Sequence, residues 1–214
     1  EIRTNTLSEE SAKILNKNYN PTFSPTKEDG YITLTTHNNR ANLMNNSELN
    51  KLKTKSHFFD AEISGKFNEN SFPNDEKLEL KVGAQVMFIK NDSSQEKRYY
   101  NGKIGIVTDI SKQNVTVQCA NEIDEIVTER ETWENINYSI NDDTKEIKED
   151  ITGSFSQIPL RLAWAITIHK SQGLTFEKAI IDAEASFAHG QTYVALSRCT
   201  SLDGLVLKTP ITSN

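Results

Sequence analysis

Short apolar runs alternate with polar turns in the last quarter of the chain. Residues 164–168 (WAITI) are apolar and rich in aromatic and β-branched side chains, a pattern that predicts a buried strand. The polar stretch 169–173 (HKSQG) follows as a turn, and the apolar run 179–181 (AII) predicts a second strand. We expect a helix that carries Tyr193 and Arg198 after it. This order of elements is typical of an α/β sheet, in which ligands bind at the strand ends.

The first quarter of the chain predicts another strand and helix of the same kind. Ser8 is expected to cap a short helix in the lead-in segment 1–30. Residues 31–36 (YITLTT) alternate apolar and hydroxyl side chains and predict a strand. A helix capped by Asn38 or Asn39 should follow, because apolar residues then recur every three or four positions. These apolar positions are Ala41, Met44, Leu49 and Leu52.

The middle of the chain predicts short strands instead of helices. Residues 78–90 read as one strand with Gly83 at a turn or bulge, and Asn101-Gly102 is a strong turn dipeptide. Several short strands at close spacing predict a small all-β barrel. We therefore predict a barrel at 80–155 inserted into an α/β domain built from 1–79 and 156–214. Further strands are predicted at 103–107, 115–119, 125–132 and 136–140, with a turn at 141–143.

The composition of the chain argues against several functional classes of protein. The net charge of −6 and the isoelectric point of about 5.3 argue against a histone-like nucleic-acid binder, although a local basic groove remains compatible with them. Cys119 and Cys199 lie far apart and outside any metal-binding spacing, which favours a cytoplasmic protein. No apolar run approaches the length that spans a bilayer. Because the chain opens without methionine, we expect it to be a piece of a longer protein.

Three motifs, in the expected order, resemble superfamily 1B DNA helicases of the Pif/RecD-like family. ITLTTHNNRANLMN resembles the fourth helicase motif of that family, WAITIHKSQGLTF the fifth and YVALSR the sixth. LKVGAQVMFIKND followed by RYYNGKIGIV resembles the SH3-like barrel inserted between motifs four and five. The resemblance covers nearly the whole chain. It implies a RecA-like second motor domain, with this inserted barrel, from an ATP-dependent 5′–3′ DNA helicase, in a bacterial cytoplasm.

The resemblance also implies the partners of the chain. ATP and Mg²⁺ would be bound mainly by an N-terminal RecA-like domain of the same protein, because these 214 residues contain neither a GxxxxGK(S/T) phosphate loop nor an acidic magnesium motif. The expected nucleic-acid partners are single-stranded DNA and duplex junctions, and we expect a monomer without membrane contact. This fragment alone should therefore not hydrolyse ATP.

Arg198 is the predicted catalytic residue. An arginine at the end of a helix can reach across a domain cleft and stabilise charge on a transferring γ-phosphate. A lone arginine is more often an ordinary surface or ion-paired residue, and the YVALSR context favours the finger role. The resemblance places four more residues on the nucleotide side: Gln172, Gly173, Thr175 and Gln191.

The DNA-facing residues are predicted at the ends of two strands and at a hairpin. Hydroxyl, imidazole and ammonium donors suit the sugar-phosphate backbone of single-stranded DNA, and an aromatic ring beside a lysine suits stacking on a base. The less specific alternatives are a satisfied histidine, a solvated lysine and, for one tyrosine of the Tyr99-Tyr100 pair, packing in the barrel core. The residues concerned are Thr36, His37, Asn38, Thr167, His169, Lys170, Ser171, Tyr99 and Lys103.

Two positions depart from the pattern of the wider superfamily. Thr36 stands where related proteins carry a phosphate-binding arginine, which leaves Arg40 as a candidate substitute or as an exposed helix residue. Thr175 stands where many relatives carry a ribose-binding glutamate. The alternative to a motor domain is a non-enzymatic module that binds nucleic acid or protein on a helicase-like scaffold.

Overall fold

The computed structural model describes residues 1–4, 6–26, 29–140, 147–182 and 189–211. The predicted turn at 141–143 lies outside the described residues. The α-helices are α1 (Glu9–Asn16), α2 (Asn38–Lys51) and α3 (His189–Leu196), and short 3-10 helices span Ile2–Thr4 and Glu69–Ser71. The strands are β1 (Ile32–Thr35), β2 (His57–Asp60), β3 (Glu62–Gly65), β4 (Lys77–Leu80), β5 (Gln85–Phe88), β6 (Ile104–Ile110), β7 (Val115–Cys119), β8 (Ile126–Thr128), β9 (Glu131–Ile140), β10 (Ile147–Gln157), β11 (Leu160–Leu162), β12 (Ala165–Thr167), β13 (Ala179–Asp182) and β14 (Leu205–Leu207).

The chain forms two units, an α/β unit and an all-β unit. The α/β unit contains Glu1–Lys53, Gln85–Met87 and Leu162–Asn214, and the all-β unit contains Thr54–Ala84 and Phe88–Arg161. The second unit thus starts earlier and ends later than the segment 80–155 expected from the sequence. The reason is strand pairing, since β2 pairs with β4 and β3 pairs with β10, which draws the region around β2 and β3 into the all-β unit.

The α/β unit is built on a parallel sheet with the strand order β12-β1-β13-β14. Leu34 in β1 lies opposite Ile166 in β12 and Ile181 in β13. All four residues of β1 are buried, as expected for a strand with neighbours on both sides in a parallel sheet. The prediction of an α/β fold with a parallel sheet is confirmed, whereas β14 was not predicted because LVL is too short to give a pattern.

Two buried amide side chains fix the sheet of the α/β unit. The Asn45 Nδ2 of α2 donates to the carbonyl oxygen of Ala165 (2.9 Å), and its Oδ1 accepts from the Ala165 backbone N–H (2.8 Å). The Gln85 Nε2 donates to the carbonyl oxygens of Tyr31 (2.9 Å) and Ala163 (2.8 Å). Because buried backbone groups need partners, these amides hold α2 and the strands beside it in register.

The all-β unit is antiparallel and has an aromatic core. β6 pairs with β7 and β7 with β8, while β10 pairs with both β3 and β9. Phe155 of β10 is fully buried and contacts the rings of Phe67, Phe72 and Trp133. That these strands close into an SH3-like barrel remains a prediction.

Four local predictions from the sequence need correction. The single strand expected at 78–90 is two strands, β4 and β5, because Gly83 turns the chain with φ +89°. The strand expected at 125–132 is likewise divided between β8 and β9. The N-cap of α2 is His37 rather than Asn38 or Asn39, since the helix begins at Asn38. Arg198 lies beyond the end of α3, which stops at Leu196.

Candidate functional site

Polar residues from two neighbouring strands meet at one edge of the α/β unit. β1 and β12 are adjacent and parallel, so their carboxyl ends lie at the same edge. The Ile168 backbone N–H donates to the carbonyl oxygen of Thr35 (2.8 Å) and joins the two strand ends directly. The structure therefore brings Thr36 and His37, after β1, to the same edge as His169, after β12.

Two of the predicted DNA-binding hydroxyls lie inside the turn that follows β12. Thr167 is 4% exposed, and its Oγ1 accepts from the backbone N–H of Lys170 (3.3 Å). Ser171 is fully buried, and its Oγ donates to the carbonyl oxygen of Ile168 (2.7 Å). The backbone N–H of Leu174 then donates to the carbonyl oxygen of Ser171 (3.0 Å). In this structure Thr167 and Ser171 build the turn rather than face solvent.

The same turn exposes the side chains with stronger donors. His169, Lys170 and Gln172 are exposed, and so is Thr175 just after the turn. Gly173 has φ +79°, a left-handed conformation that glycine adopts without strain, and open space lies where its Cβ would be. The turn therefore presents imidazole, ammonium and amide groups, with a backbone that a phosphate can approach closely.

The residues after β1 leave the start of α2 without a side-chain cap. Thr36 Oγ1 and His37 Nδ1 are 2.7 Å apart and share a hydrogen bond whose direction depends on the tautomer of the histidine. His37 holds the N-cap position but makes no side-chain hydrogen bond to the helix. His37 and Asn38 are exposed. The first-turn N–H groups of α2 therefore donate no hydrogen bond to the side chain of the cap residue, and N–H groups at a helix start attract anions.

Arg40, the candidate substitute for the missing arginine, is ion-paired. Its Nη2 lies 2.7 Å from Oδ2 of Asp182, at the end of β13. The side chain of Arg40 is 34% exposed and that of Asp182 is 16% exposed. A carboxylate at this distance offsets the positive charge of Arg40, so this guanidinium is less suited to phosphate than a free one would be.

The guanidinium of Arg198 is held by three neutral groups. Nε donates to the carbonyl oxygen of Val194 (3.0 Å), Nη1 to that of Leu174 (3.1 Å) and Nη2 to Oγ of Ser197 (2.9 Å). Leu174 closes the turn that starts at His169, so the arginine and the turn are in direct contact. None of the three partners carries a charge, and the positive charge of Arg198 is therefore not cancelled by them.

The other predicted nucleotide-side residues differ in how close they come to Arg198. Thr175 directly follows the Leu174 carbonyl that binds Arg198. Gln191 is exposed within α3, and no hydrogen bond between it and Arg198 is found in the described chain. The structure thus places Thr175 beside the arginine, while nothing in it ties Gln191 to that group.

The predicted contacts of the all-β unit separate into buried and exposed residues. Tyr99 is 4% exposed and stacks on Phe88, with ring centroids 4.3 Å apart, and burial raises the pKa of its phenol. The Lys103 side chain is 11% exposed and pairs with Glu122. Tyr100 is 58% exposed, with the Nζ of Lys103 6.0 Å from its ring centroid. The aromatic ring that a nucleobase could reach therefore belongs to Tyr100, not to Tyr99.

Sequence reasoning missed Asp182 and Ser197, each of which contacts an arginine of this site. A signal existed for both, because Asp182 directly follows the apolar run of β13 and Ser197 precedes Arg198 in YVALSR. What the sequence did not contain was which side chains these two residues contact.

The described residues contain no cluster of side chains suited to a metal ion, and both of their cysteine thiols have raised pKa values. Within residues 1–4, 6–26, 29–140, 147–182 and 189–211, no group of three or more His, Cys, Asp or Glu side chains is arranged to hold a metal ion. Burial raises the pKa of both Cys119 and Cys199 to about 11, so both thiols are protonated at neutral pH. In the same part of the chain no helix is long and apolar enough to cross a bilayer.

Known proteins share the sequence and the architecture of this chain. No family model matches the chain. The ATP-dependent DNA helicase Pif1 of Campylobacter jejuni is 34% identical over 190 residues, which cover 81% of this chain and 41% of that protein. The crystal structure of Bacteroides sp. Pif1 in complex with ADP-AlF4 is 42% identical and has a TM-score of 0.89, covering 99% of this chain and 47% of that one. Bacteroides Pif1 bound to ssDNA is also 42% identical, with a TM-score of 0.71 over 99% of this chain and 48% of that one.

The similarity is extensive in this chain but partial in its relatives. The chain spans less than half the length of these proteins. Within that span, its mixed α/β architecture with a parallel sheet matches the solved Pif1 structures. An identity of 34% over about four fifths of the chain is enough to assign a family. The chain therefore belongs to the Pif1 family of ATP-dependent DNA helicases.

Proposed function

We propose that the chain is the second motor domain of an ATP-dependent 5′–3′ DNA helicase and supplies helicase motifs four, five and six. The observation that carries this proposal is the direct contact between Arg198 and the turn after β12. Nη1 of Arg198 binds the carbonyl oxygen of Leu174, three residues after Ser171 in a turn that exposes His169 and Lys170. A nucleotide-sensing arginine and a DNA-gripping turn joined in this way are what a motor domain needs.

The DNA grip is assigned to the strand-end edge of the α/β unit. His169 and Lys170 offer imidazole and ammonium donors, while Thr36, His37 and the uncapped start of α2 lie beside them. Such groups bind phosphate and sugar without reading bases, as a translocating enzyme requires. Thr167 and Ser171 contribute by holding the turn in shape through their hydroxyls.

The nucleotide side is assigned to Arg198, Gly173 and Thr175, with Gln172 and Gln191 as further candidates. In the full-length protein, ATP would bind between this unit and the N-terminal RecA-like domain, where Arg198 would stabilise charge on the transferring γ-phosphate. Mg²⁺ would be held by that other domain, since the described residues offer no metal cluster. Hydrolysis would open and close the cleft between the two motor domains, so that the turn releases and regrips DNA.

In the all-β unit, we assign a single contact with DNA to Tyr100. Its exposed ring can stack on a nucleobase, an interaction worth about 1–3 kcal/mol for each base. The paired state of Lys103 and the buried state of Tyr99 leave little for these two residues to contribute.

The proposal is tested by ATP hydrolysis in the full-length protein that carries this chain. Arg198→Ala should lower the turnover number by about 10³-fold or more, because the transition state loses its cationic contact, while the affinity for single-stranded DNA stays unchanged. The 214-residue chain alone should hydrolyse no ATP, since it contains no phosphate loop.

Two results would contradict the proposal. Turnover retained in the Arg198→Ala protein would remove the arginine from the reaction. A full-length protein that binds DNA but hydrolyses no ATP would favour the non-enzymatic binding module instead.

A further inference from the structure

The guanidinium of Arg198 has more N–H donors than its hydrogen bonds use. An arginine side chain carries five N–H donors in a fixed planar fork. Three of them are used, by the carbonyl oxygens of Val194 and Leu174 and by Oγ of Ser197. Within the described part of the chain, the remaining two N–H groups, one on Nη1 and one on Nη2, have no partner.

Ser197 has two hydrogen bonds that fix its own hydroxyl. Its Oγ accepts from Nη2 of Arg198 (2.9 Å) and donates to the carbonyl oxygen of Val194 (2.9 Å). The same Val194 oxygen accepts from Nε of Arg198. Serine, arginine and carbonyl therefore form a closed ring of three hydrogen bonds, and rotation of either side chain breaks two of them.

The backbone of Arg198 is fixed as well. The Phe176 N–H donates to the carbonyl oxygen of Arg198 (2.8 Å), and the Thr200 N–H donates to the carbonyl oxygen of Phe176 (3.1 Å). These bonds form a short parallel bridge between Phe176 and Cys199. Both ends of the arginine are thus held against the segment that follows the turn, the main chain by Phe176 and the guanidinium by Leu174.

We propose that Ser197 is a positioning residue, which together with the Val194 and Leu174 carbonyls fixes the guanidinium of Arg198 so that its two unused N–H groups form a preorganised donor pair for the γ-phosphate. This inference rests on the function proposed above and adds a residue to it. All three anchors are neutral, so they restrict the guanidinium without cancelling its charge. A donor pair fixed before the reaction stabilises developing charge without reorganisation during it.

The anchoring also links the two ligands of the motor. Leu174, which holds Nη1, is itself held by the carbonyl oxygen of Ser171, whose hydroxyl binds the carbonyl oxygen of Ile168 at the strand end. A shift of the DNA-gripping turn would move the Leu174 carbonyl and with it the guanidinium. Ser197 is the anchor on the opposite side and limits how far the guanidinium moves with the turn.

A double-mutant cycle in the full-length protein tests the role of Ser197. Ser197→Ala should lower kcat for ATP by roughly 10- to 100-fold, with the KM for ATP within about twofold, because misplacement of a catalytic group affects mainly the transition state. Ser197→Thr keeps the hydroxyl and should restore most of the activity. In the Arg198→Ala background, Ser197→Ala should have no further effect, since the serine acts only through the arginine.

The matched control is Ser201→Ala, an exposed serine three residues after Arg198, which should leave kcat unchanged. Equal losses from Ser197→Ala with and without Arg198 would show a merely structural role and overturn the proposal. Unchanged kcat in Ser197→Ala would overturn it as well.

A second measurement separates this inference from the proposed function. In the 214-residue chain, the Nε–H resonance of Arg198 should exchange slowly with solvent, about tenfold faster in Ser197→Ala, and unchanged in Ser201→Ala. Rapid exchange in the unsubstituted chain would show that the guanidinium is not anchored and would overturn the inference. If instead the anchoring is observed but the full-length protein hydrolyses no ATP, the proposed function fails and the catalytic role of Ser197 fails with it.

Discussion

Arg98 in the all-β unit and Arg198 in the α/β unit are both held by several hydrogen bonds, but their partners differ in charge. Nε of Arg98 donates to the buried carboxylate of Asp92 (3.0 Å), and Glu96 lies 3.5 Å away. The partners of Arg198 are two carbonyls and a hydroxyl. The charge of Arg98 is therefore used within its own loop, whereas Arg198 is fixed in place with its charge still available.

The two units also differ in net charge. The all-β unit has 13 Lys and Arg against 20 Asp and Glu, a net charge of −7, and the α/β unit has 11 against 10, a net charge of +1. In the all-β unit, Lys90 and Lys103 are paired with Glu131 and Glu122. A basic and aromatic stretch in a sequence is therefore not a basic surface until its partners are known.

The largest expected effect is on stability, and it distinguishes the buried from the exposed member of the two adjacent tyrosines in the all-β unit. Tyr99→Ala should lower the free energy of unfolding of this unit by about 3–5 kcal/mol, because the ring stacked on Phe88 is lost from the core. Tyr100→Ala should change it by less than about 0.5 kcal/mol, since its ring is exposed.

Denaturant unfolding in a Trp164→Phe background measures this directly, because the chain has two tryptophans and Trp133 then reports on the all-β unit alone. Equal stability losses for the two tyrosines would mean that Tyr100 also packs in the core, and its role in stacking on a base would have to be abandoned.

A second substitution tests whether the carboxylate of Asp92 neutralises the charge of Arg98. Burial by itself would raise the pKa of Asp92, but hydrogen bonds from Ser94 and Arg98 outweigh it and hold the pKa below its usual range. The carboxylate therefore stabilises the fold above pH of about 4 and loses this effect as the pH falls toward its folded pKa. Asp92→Asn should cost about 1–3 kcal/mol at neutral pH.

The pH dependence of stability distinguishes the effect of the Asp92 charge from the effect of the Asp92 hydrogen bonds. The stability difference between the unsubstituted protein and Asp92→Asn should shrink as the pH falls below about 4, because Asp92 then becomes protonated in the unfolded chain while it stays ionised in the folded protein. Unfolding of the all-β unit followed by Trp133 fluorescence at several pH values measures this difference. A gap that stays constant with pH would show that the hydrogen bonds, not the charge, hold the Asp92 loop.

The smallest expected effect compares a lysine of each unit. Lys170 is exposed on the turn after β12, whereas the side chain of Lys103 is only 11% exposed. In the full-length protein, Lys170→Ala should weaken the binding of single-stranded DNA and reduce the salt slope of the affinity by about 0.7, the value for one phosphate contact. Lys103→Ala should leave both unchanged. Fluorescence anisotropy of a labelled oligonucleotide, titrated from about 50 to about 200 mM salt, measures the slopes. A larger loss of affinity and of salt slope in Lys103→Ala than in Lys170→Ala would contradict this prediction.

Local features of the fold could be predicted because nearby residues determine them. The strands β1, β7 and β13, the cap of α1 by Ser8 and the turn at Asn101-Gly102 follow from apolar runs, a capping hydroxyl and turn residues within a few positions. The split of the strand expected at 78–90 was less visible, since a glycine within a strand can mark either a bulge or a break.

Long-range partners were beyond the sequence. β3 pairs with β10 across about ninety residues, and all four residues of β3 are exposed, so no alternation of buried and exposed positions indicates a strand. The segment 80–155 predicted for the barrel therefore does not include β2 and β3, which the all-β unit contains. A strand of this kind is specified by its partner, which local pattern does not contain.

By itself, the sequence determined the apolar strands β1, β12 and β13 and the glycine turn after β12, because each of these is written into consecutive residues. That Arg198 lies beyond the end of α3 was decided by the structure. Only the tertiary structure decided which hydroxyls build the turn, which tyrosine is in the core and which groups hold Arg198. Those properties depend on burial and on hydrogen-bond partners such as Leu174 and Ser197 around one guanidinium. Burial and charge pairing depend on contacts between segments that are distant in sequence, and the order of residues along the chain does not show which segments come into contact.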